Sequence, residues 1–353
     1  MLSRLIKWKW IVTSTICFVL LYTLPAAFFE QYYSNLLFQK IRMIMDNTFG
    51  KIPFSSIYIF FGVMLIIFLK WFLYFFKEKP EPFLTRVQST LSFFGFMITL
   101  FFILWGFNYG RIPLEQKLNL KLTPLSDTQL TSEIDSTVFK LASIRKVLKK
   151  DTSSIPQIVF INKIEDNSRN ALNATLKQLE YPFSEKIRTR FLLDDMLLIF
   201  NIGGQYSPYT GEGGVDDAVF YSKKPFYVVH EMAHGNGFTQ EADCNFLAYM
   251  SCIQSSNNSF QYSAEFNYLL YLLNEISIRN HTTYLNLVEK FPLEIKHDLE
   301  AYKVHQSEHT FKSGFLGDAI NHFFLKVMGI QEGIKNYDKM VLLIYAWKHP
   351  SNI

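Results

Sequence analysis

The residues best suited to chemistry stand together at His230–His234, which has the pattern His-Glu-x-x-His, with Glu241 shortly after it. If the stretch is helical, His230 and His234 lie one turn apart on the same face, so both imidazoles can reach one metal ion. Glu231 lies one position further round the helix, where it can act on a water molecule at the ion without being a ligand. Two histidine ligands with a neighbouring glutamate base are the arrangement of a zinc hydrolase.

The residues around this motif predict where its helix begins and ends. Pro225 suits a first helical turn, where its missing N–H is not needed. Gly235 and Gly237 can end the helix, because glycine accepts the left-handed conformation of a C-terminal cap. Thr239 is then predicted to be the N-cap of a second helix, with Phe238 placed to pack back on that helix as a hydrophobic staple.

A catalytic zinc site needs a third protein ligand and an open fourth position. Glu241 falls in the first turn of the second helix and can face the two histidines. Asp243 is the rival ligand, but two positions rotate it by about 200° round the helix, so both acids cannot face the ion. Glu241 is preferred because Asn245, one turn further on, can hold its carboxylate. Asp243 could instead bond one of the ligand histidines.

The alternative interpretation is an ordinary helix that matches the pattern by chance. Phe226, Val228 and Val229 precede the motif and indicate a buried helix. In such a helix, two histidines and a glutamate without partners would carry a large desolvation cost, which a bound metal ion would offset. The apolar residues therefore favour the metal site.

The first third of the chain carries an excess of apolar residues. Hydrophobic residues make up 49% and aromatic residues 17% of the 353 positions. Three segments, at about residues 10–29, 54–76 and 90–107, each have roughly the 20 residues needed to cross a bilayer. Lys70 interrupts the second segment and would have to extend to the interface or meet a polar partner. A cleaved signal peptide is the alternative for the first segment, but two further spans favour a membrane anchor.

Charge gives an orientation and excludes one class of partner. The net charge of +4 is small and no basic stretch alternates with aromatic residues, so nucleic-acid binding is not expected. With three spans, residues 110–353 lie outside the cytoplasm if the N-terminus lies inside. Six basic residues stand on each side of the spans: Arg4, Lys7, Lys9, Lys77, Lys79 and Arg86 against Lys40, Arg42, Lys51, Arg111, Lys117 and Lys121. The first cluster abuts its span and the second loop is short with dense charges, which favours a cytoplasmic N-terminus.

From residue 110 onward the composition is that of a soluble domain. Four elements are predicted before the metal motif: helix 126–150, strand 157–162, helix 167–179 and strand 196–201. Ser126 and Gln129 occupy capping-box positions at the start of the first helix. After Glu241 the chain is predicted to be mostly helical, and the apolar run in 337–347 is too short to span a bilayer.

A loop rich in glycine and tyrosine, residues 203–214, leads towards the metal motif. Glycine lets a backbone approach closely, so this segment can pair with an extended substrate, and Tyr206 or Tyr209 can donate to a developing oxyanion. A flexible connector whose tyrosines only pack is an equal alternative. Tyr262 and His309 are further candidates for the site, and structural or surface roles are the alternative for both.

Taken together, these residues resemble an uncharacterised bacterial membrane family catalogued as domain of unknown function 3810. The resemblance covers nearly the whole chain. It rests on residues 105–113 and 206–212, on the His230–His234 motif with Gly237, Phe238 and Glu241, and on residues 245–249, 324–326 and 333–337. Gly235 and Cys244 depart from that pattern, where a polar residue and an alanine are expected.

The resemblance implies three N-terminal spans followed by a zincin-like domain. It carries His230, His234 and Glu241 over as zinc ligands and Glu231 as the base. It supplies no substrate, because the family resembles zinc peptidases without an established activity.

The predicted fold is a multi-span α-helical membrane anchor, residues 1–109, followed by an α+β zincin-like domain, residues 110–353. That domain has a small sheet and a mostly helical C-terminal half. The predicted function is that of a zinc metallopeptidase in the bacterial inner membrane, with residues 110–353 on the extracytoplasmic side. Its substrate would be a peptide or a membrane-proximal protein, and a peptidoglycan cross-link stays open. The alternative is a non-catalytic membrane-bound sensing or binding module with a zinc site.

Overall fold

The computed structural model describes residues 2–75, 82–149, 151, 155–200, 202–309 and 339–350. The chain divides into two compact units, the first made of Met1–Ile112 with Ser207–Glu212 and the second of Pro113–Tyr206 with Gly213–Ile353. The domain boundary was predicted after residue 109, and in the structure it falls after Ile112. The structure also assigns the later segment Ser207–Glu212 to the first unit. Several predicted features lie outside the described residues: Lys77, Lys79 and the family segments 324–326 and 333–337.

The first unit is helical. Its helices are α1 (Leu2–Thr23), α2 (Ala26–Phe28), α3 (Phe38–Asn47), α4 (Ile57–Phe75) and α5 (Phe83–Leu104). A wide-turn π-helical stretch, Phe29–Leu37, joins α2 to α3, and tight 3-10 turns follow at Phe49–Lys51 and Gly106–Gly110.

One helix of the described residues is long and apolar enough to cross a membrane. It is α5, Phe83–Leu104, which takes the place of the predicted span 90–107. In α4 the apolar stretch Ile57–Leu73 is shorter than a span, although it falls within the predicted segment 54–76. By length and composition the described residues therefore supply one spanning helix, or two if the bent helix pair near the N-terminus counts as one span.

The first predicted span, 10–29, is wrong as a single straight helix. The helix ends at Thr23, and the chain turns by 112° into a second helical stretch, Ala26–Lys51. Pro25 stands at this break. Proline has no N–H to donate and pushes the residue before it out of the helical conformation, so the helix cannot continue through it.

The segment Ser207–Glu212 is held inside the first unit by buried polar contacts. The Glu212 carboxylate accepts hydrogen bonds from the Ser56 backbone N–H at 2.6 Å and from the Ser56 hydroxyl at 2.5 Å, directly before α4 begins. The buried Arg42 guanidinium donates to the Gly211 carbonyl oxygen at 2.5 Å. A carboxylate at this position satisfies free N–H groups at the start of a helix.

The second unit is mostly helical and carries a small sheet. Its helices are α6 (Leu114–Lys117), α7 (Asp127–Leu148), α8 (Ile158–Ile161), α9 (Ile164–Gln178), α10 (Lys224–Gly235), α11 (Glu241–Gln254), α12 (Asn258–Arg279), α13 (His281–Glu289), α14 (Leu293–His309) and α15 (Lys339–Lys348). Its strands are β1 (Thr189–Leu192), β2 (Gly204–Ser207) and β3 (Glu212–Asp216), except that the end residues Ser207 and Glu212 belong to the first unit. The strand order is β1-β3-β2, and β1 runs parallel to β3, with Thr189 opposite Gly213.

Two of the four predicted elements are confirmed. The helix predicted at 126–150 is α7, and its N-cap Ser126 forms the predicted capping box with Gln129. The helix predicted at 167–179 is α9. Helix α11, which carries Glu241, is buried from Ala242 to Cys252 and packs against α9, α10 and α12, so the metal motif lies beside the centre of the apolar core.

The two predicted strands are wrong. Residues 157–162 contain the short helix α8, because an apolar run of this length suits a buried helix as well as a strand. Residues 196–201 contain a 3-10 turn, Leu198–Phe200, rather than a strand. Here the buried Asp216 carboxylate accepts hydrogen bonds from the backbone N–H groups of Leu197 at 2.7 Å and Leu198 at 3.0 Å, so a side chain takes the donors that a strand would need.

Candidate metal site

The helix that carries the motif begins and ends where its residues predict. Pro225 stands in the first turn of α10, which ends at Gly235. Gly237 follows in the left-handed conformation, with φ of 86°. The Gly237 N–H donates to the His234 carbonyl at 2.9 Å and the Phe238 N–H to the Ala233 carbonyl at 3.2 Å, which is the Schellman pattern of a glycine-ended helix. This cap turns the chain sharply into α11.

The third candidate ligand reaches the histidines from the start of α11. The N-cap of that helix is Gln240, which makes no side-chain capping bond, so the prediction of Thr239 as the N-cap is wrong by one residue. Glu241 is the first residue of the helix. Its carboxylate lies 3.2 Å from His230 Nε2 and 3.5 Å from His234 Nε2.

These three side chains form a group that can hold a metal ion. The Nε2 atoms of His230 and His234 are 3.1 Å apart, and one ligand atom from each of the three residues lies within 4.8 Å of the others. Ligands about 2.1 Å from an ion in a tetrahedral arrangement stand about 3.4 Å apart, so the observed separations fit a shared ion. His230, His234 and Glu241 are therefore brought together as predicted.

The chain also holds the second histidine in the orientation that metal binding needs. His234 Nδ1 lies 2.8 Å from the carbonyl oxygen of Phe238 and 3.3 Å from the Cys244 sulfur. A carbonyl oxygen only accepts, so the proton sits on Nδ1 and the lone pair of Nε2 faces the candidate ion. Neither Phe238 nor Cys244 was predicted to do this, because the contact depends on the turn between the two helices.

The first histidine is held differently. Its Nδ1 atom has no hydrogen-bond partner among the described residues, and burial lowers the pKa of His230 while Asn245 acts in the opposite direction. The Asn245 amide also donates to the Tyr271 hydroxyl at 3.4 Å. The expectation that Asn245 holds the Glu241 carboxylate is thus corrected: its described contacts go to His230 and Tyr271.

Asp243 does not join the group of ligand atoms in the described part of the chain. It is buried on α11, two residues beyond Glu241, and its charge acts on Cys244 by raising the pKa of that thiol. The predicted rotation of about 200° between the two acids accounts for the choice of Glu241.

The charges of the group are coupled through the carboxylate. Burial would raise the pKa of Glu241, but the two imidazoles outweigh burial and hold it well below its usual value. Burial lowers the pKa of His230. For His234, Cys244 and Glu241 outweigh burial and raise the pKa. Burial raises the pKa of the Cys244 thiol to about 12, so the thiol is neutral near pH 7 and Glu241 is the charge that favours protonated His234.

Glu231 lies beside the group without joining it. Its side chain is buried, and Oε2 has no hydrogen-bond partner among the described residues. Burial raises its pKa to about 8. A carboxylate that is buried, unsatisfied and next to a candidate metal group has the placement of a general base.

The glycine-rich strands meet the metal helix at this residue. A Cβ on Gly204 would lie 2.5 Å from Glu231 Oε1, and a Cβ on Gly213 would lie 2.7 Å from Glu231 Cβ and 2.7 Å from Thr189 Oγ1. Only glycine fits at Gly213, where the near atom is the Glu231 Cβ, whereas at Gly204 the end of the Glu231 side chain would have to move. The glycine-rich backbone therefore approaches Glu231, and its pairing with an extended substrate stays a prediction.

The four remaining candidates lie in different places. Tyr206, on β2, is buried, and a Cβ on Gly235 would lie 3.3 Å from its ring. Tyr209 belongs to the first unit, where its ring stacks on Phe60 at 4.8 Å and its hydroxyl donates to the Met97 carbonyl at 3.3 Å.

The other two candidates are engaged elsewhere in the second unit. The Tyr262 hydroxyl donates to the Asp298 carboxylate at 2.5 Å, and Asp298 also pairs with the buried Arg145 at 2.8 Å. His309 Nδ1 bonds Asp195 at 2.8 Å. Both residues therefore make the structural contacts that were the alternative interpretation.

One cluster near the site was missed by sequence reasoning. Lys223 is the N-cap directly before α10, and Tyr227 and His230 follow it at spacings of four and three, so the three residues lie on one side of the helix and its start. The Lys223 ammonium lies 3.3 Å from the hydroxyl of Tyr302 and 5.1 Å from the centre of the Tyr227 ring. The spacing was available from the sequence, but the contribution of Tyr302 from α14 was not.

The described residues are mostly helical and include one helix long and apolar enough to cross a membrane and a His-His-Glu group that could hold a metal ion. The chain belongs to the family described as protein of unknown function (DUF3810), whose pattern it matches over residues 33–345. No curated protein and no solved structure matches the chain.

Proposed function

We propose that this protein is a membrane-anchored zinc metallopeptidase, in which His230, His234 and Glu241 hold the ion and Glu231 is the general base. The observation that carries the proposal is the placement of a second buried carboxylate beside three convergent ligand atoms. Two imidazoles and one carboxylate favour zinc over harder cations. A purely structural zinc site would be expected to use a fourth protein ligand, and the described residues offer three.

Each residue has a distinct part in hydrolysis. A bound zinc ion supplies a Lewis acid that polarises the scissile carbonyl and makes a water molecule more acidic. Glu231 takes the proton from the attacking water and passes it to the nitrogen of the leaving amine. Its pKa near 8 in the metal-free fold suits a group that must both accept and release a proton near neutral pH.

The sheet beside the site supports an extended peptide as substrate. In the three-stranded sheet of the described residues, β2 is an outer strand, and its Gly204 lies against the Glu231 carboxylate. An extended peptide can add to an exposed strand through backbone hydrogen bonds. Tyr206, on the same strand, is the remaining candidate donor to the oxyanion.

The proposal also includes more membrane spans than α5, the one described helix that is long and apolar enough to cross a bilayer. We propose three N-terminal spans in a bacterial inner membrane, carried by α1, α4 and α5, with residues 110–353 on the extracytoplasmic side. The apolar stretch Ile57–Leu73 and the basic residues near the N-terminus support this arrangement. Reporter fusions at the ends of α1, α4 and α5 would test it, because they report which side of the membrane each end occupies.

The deciding experiment uses the full-length chain purified in detergent and supplied with zinc. We expect one zinc ion per chain by elemental analysis, lost in His230→Ala, and cleavage of a mixed peptide library that is lost in Glu231→Gln with zinc retained. Zinc without cleavage, and no difference between wild type and Glu231→Gln, would favour the sensing or binding module. Folded protein that takes up no zinc would contradict the metal site itself.

A further inference from the structure

We propose that Lys223, Tyr227 and Tyr302 form a subsite that binds a carboxylate group of the substrate two to three residues from the bond that is cut. This inference rests on the proposed peptidase function, since it assigns the substrate class of the same site.

The subsite is built around a cation that no acid in the described part of the chain neutralises. Lys223 has no carboxylate partner among the described residues, and its ammonium donates to the Tyr302 hydroxyl at 3.3 Å. Other poorly exposed cations of the same unit do have such partners: Lys224 pairs with Asp217 at 2.5 Å, and Arg145 pairs with Asp298 at 2.8 Å. A poorly exposed charge without a partner is costly unless a ligand supplies one.

Two phenols shape the subsite and keep the cation charged. The Lys223 ammonium lies 5.1 Å from the Tyr227 ring centre and 4.9 Å from the Tyr302 ring centre. Burial lowers the pKa of Lys223, but the two tyrosines outweigh burial and raise it above its usual value. Because the lysine donates to the Tyr302 oxygen, the hydroxyl proton of that residue is free to point at a ligand. One ammonium and one phenol O–H match the single charge and two oxygens of a carboxylate.

The subsite shares a face of α10 with the metal ligands. Lys223, Tyr227, His230 and His234 are separated by four, three and four positions, so they lie along one stripe of the helix. Seven residues of helix separate Lys223 from His230, a rise of about 10 Å. An extended peptide advances about 3.3 Å per residue, which places the bound carboxylate about three residues from the ion.

Tyr271 connects the two ends of this stripe. Its hydroxyl accepts the hydrogen bond from Asn245, and its pKa is raised by burial and by the nearby Tyr227, Glu241 and Tyr302. Lys223, Tyr227, Tyr271 and Tyr302 are partly exposed, whereas His230 and His234 are buried. Glu241 is also partly exposed, so solvent reaches this ligand and the cation.

A C-terminal carboxylate and an acidic side chain offer the same chemistry, and the test separates them. The zinc-loaded, full-length Glu231→Gln protein is immobilised and exposed to hexapeptide libraries that differ only in ending as a free acid or an amide. In a third library, each peptide is amidated and carries glutamate at the second or third position from its C-terminal end. Retained peptides are quantified by mass spectrometry.

We expect free-acid or glutamate-containing peptides to be retained about tenfold more than plain amides, because a charge-assisted hydrogen bond is lost in the amides. Preferential retention of the free-acid library would show that the subsite binds the C-terminal carboxylate of a peptide. Preferential retention of the glutamate library would show that it binds an acidic side chain. The discrimination should disappear in Lys223→Met, persist in Lys223→Arg and weaken in Tyr302→Phe. Lys303→Met removes an exposed charge beside Tyr302 and should leave it unchanged.

Equal retention of all three libraries, no retention of any peptide, or unchanged discrimination in folded, zinc-loaded Lys223→Met would overturn the subsite. Melting temperature and zinc content confirm that each variant is folded. Cleavage of the same libraries by the wild-type chain is measured separately. If carboxylate-containing peptides are retained preferentially but no library is cleaved, the subsite is supported and the peptidase function is contradicted. If the libraries are cleaved but retained equally, the peptidase function is supported and the subsite is contradicted.

Discussion

His234 and Phe238 are joined by a 2.8 Å hydrogen bond from the imidazole Nδ1 to the backbone carbonyl, across the turn that ends α10. The same turn carries Gly237 in its left-handed conformation. The glycine cap therefore does more than end a helix, because it places the carbonyl that sets the tautomer of a metal ligand.

The choice between Glu241 and Asp243 as third ligand can be tested by substitution. Glu241→Ala should lower zinc affinity more than about 100-fold, since even outer-shell partners of a metal site cost 10–100-fold when removed. Asp243→Ala should keep one zinc per chain. Competition with a chelator of known affinity measures both constants. Tight zinc in Glu241→Ala together with its loss in Asp243→Ala would show that the ligand choice is wrong.

Cys244 should be dispensable for zinc binding. Its sulfur lies 3.3 Å from His234 Nδ1, but the Phe238 carbonyl is closer and keeps the ring in place when the sulfur is removed. Cys244→Ala should therefore change zinc affinity by less than about tenfold. The buried Cys252 gives the matched control, Cys252→Ala, because its thiol lies on the same helix. A large loss of affinity in Cys244→Ala alone would assign the thiol a direct part in the site.

Glu231 should make the stability of the metal-free protein depend on pH. Its folded pKa of about 8 lies above the unfolded value of about 4.3, so folding favours the protonated form. That stabilisation is complete below about pH 4 and is lost as the pH rises towards 8. Glu231→Gln stays neutral, so it should exceed the wild type by at least about 1 kcal/mol at pH 9 and approach it at pH 5.

Melting temperatures of chelator-treated protein between pH 5 and pH 9 measure this effect. Parallel curves for wild type and Glu231→Gln would mean that Glu231 is already charged in the metal-free fold. With zinc bound, the difference should shrink, because the cation favours the charged carboxylate.

Gly204 on β2 and Gly213 on β3 should respond differently to an added methyl group. A methyl on Gly213 would meet Glu231 Cβ and Thr189 Oγ1, both at 2.7 Å, so Gly213→Ala should destabilise the protein by about 1–3 kcal/mol. A methyl on Gly204 meets the end of the Glu231 side chain, which can move, so Gly204→Ala should lower activity more than stability.

Thermal unfolding and peptide cleavage, measured on the same preparations, separate the two effects. Gly62→Ala is the matched control, because a methyl at Gly62 would meet nothing within 4 Å. A Gly213→Ala protein as stable as this control would mean that the strand can move away from α10 at little cost.

Glu212 and Ser56 should be energetically coupled within the first unit. The carboxylate accepts from both the backbone N–H and the hydroxyl of Ser56, and it is buried there. Glu212→Ala should cost about 1–3 kcal/mol, because it leaves a buried donor unsatisfied. A double-mutant cycle with Ser56→Ala, read by thermal unfolding in detergent, gives the coupling energy. Additive effects would show that the two side chains act independently.

The sequence by itself determined the parts of this protein that depend on local spacing. The i, i+4 histidines, the proline and glycines that bound α10, the rotation that separates Glu241 from Asp243, and the capping box at Ser126 follow from helix geometry alone. The same local rules failed at 157–162 and 196–201, where the apolar runs suited more than one conformation. At the second of these, the carboxylate of Asp216, far along the chain, takes the backbone donors.

Only the tertiary structure decided which groups surround the ligands. The Phe238 carbonyl, the close approach of Gly204 and Gly213 to Glu231, and the meeting of Tyr302 with Lys223 join residues from different elements. The bend after Thr23 likewise turned one predicted span into two helical stretches. Such contacts depend on how helices and strands pack, and packing distances leave no periodic signal in a single sequence.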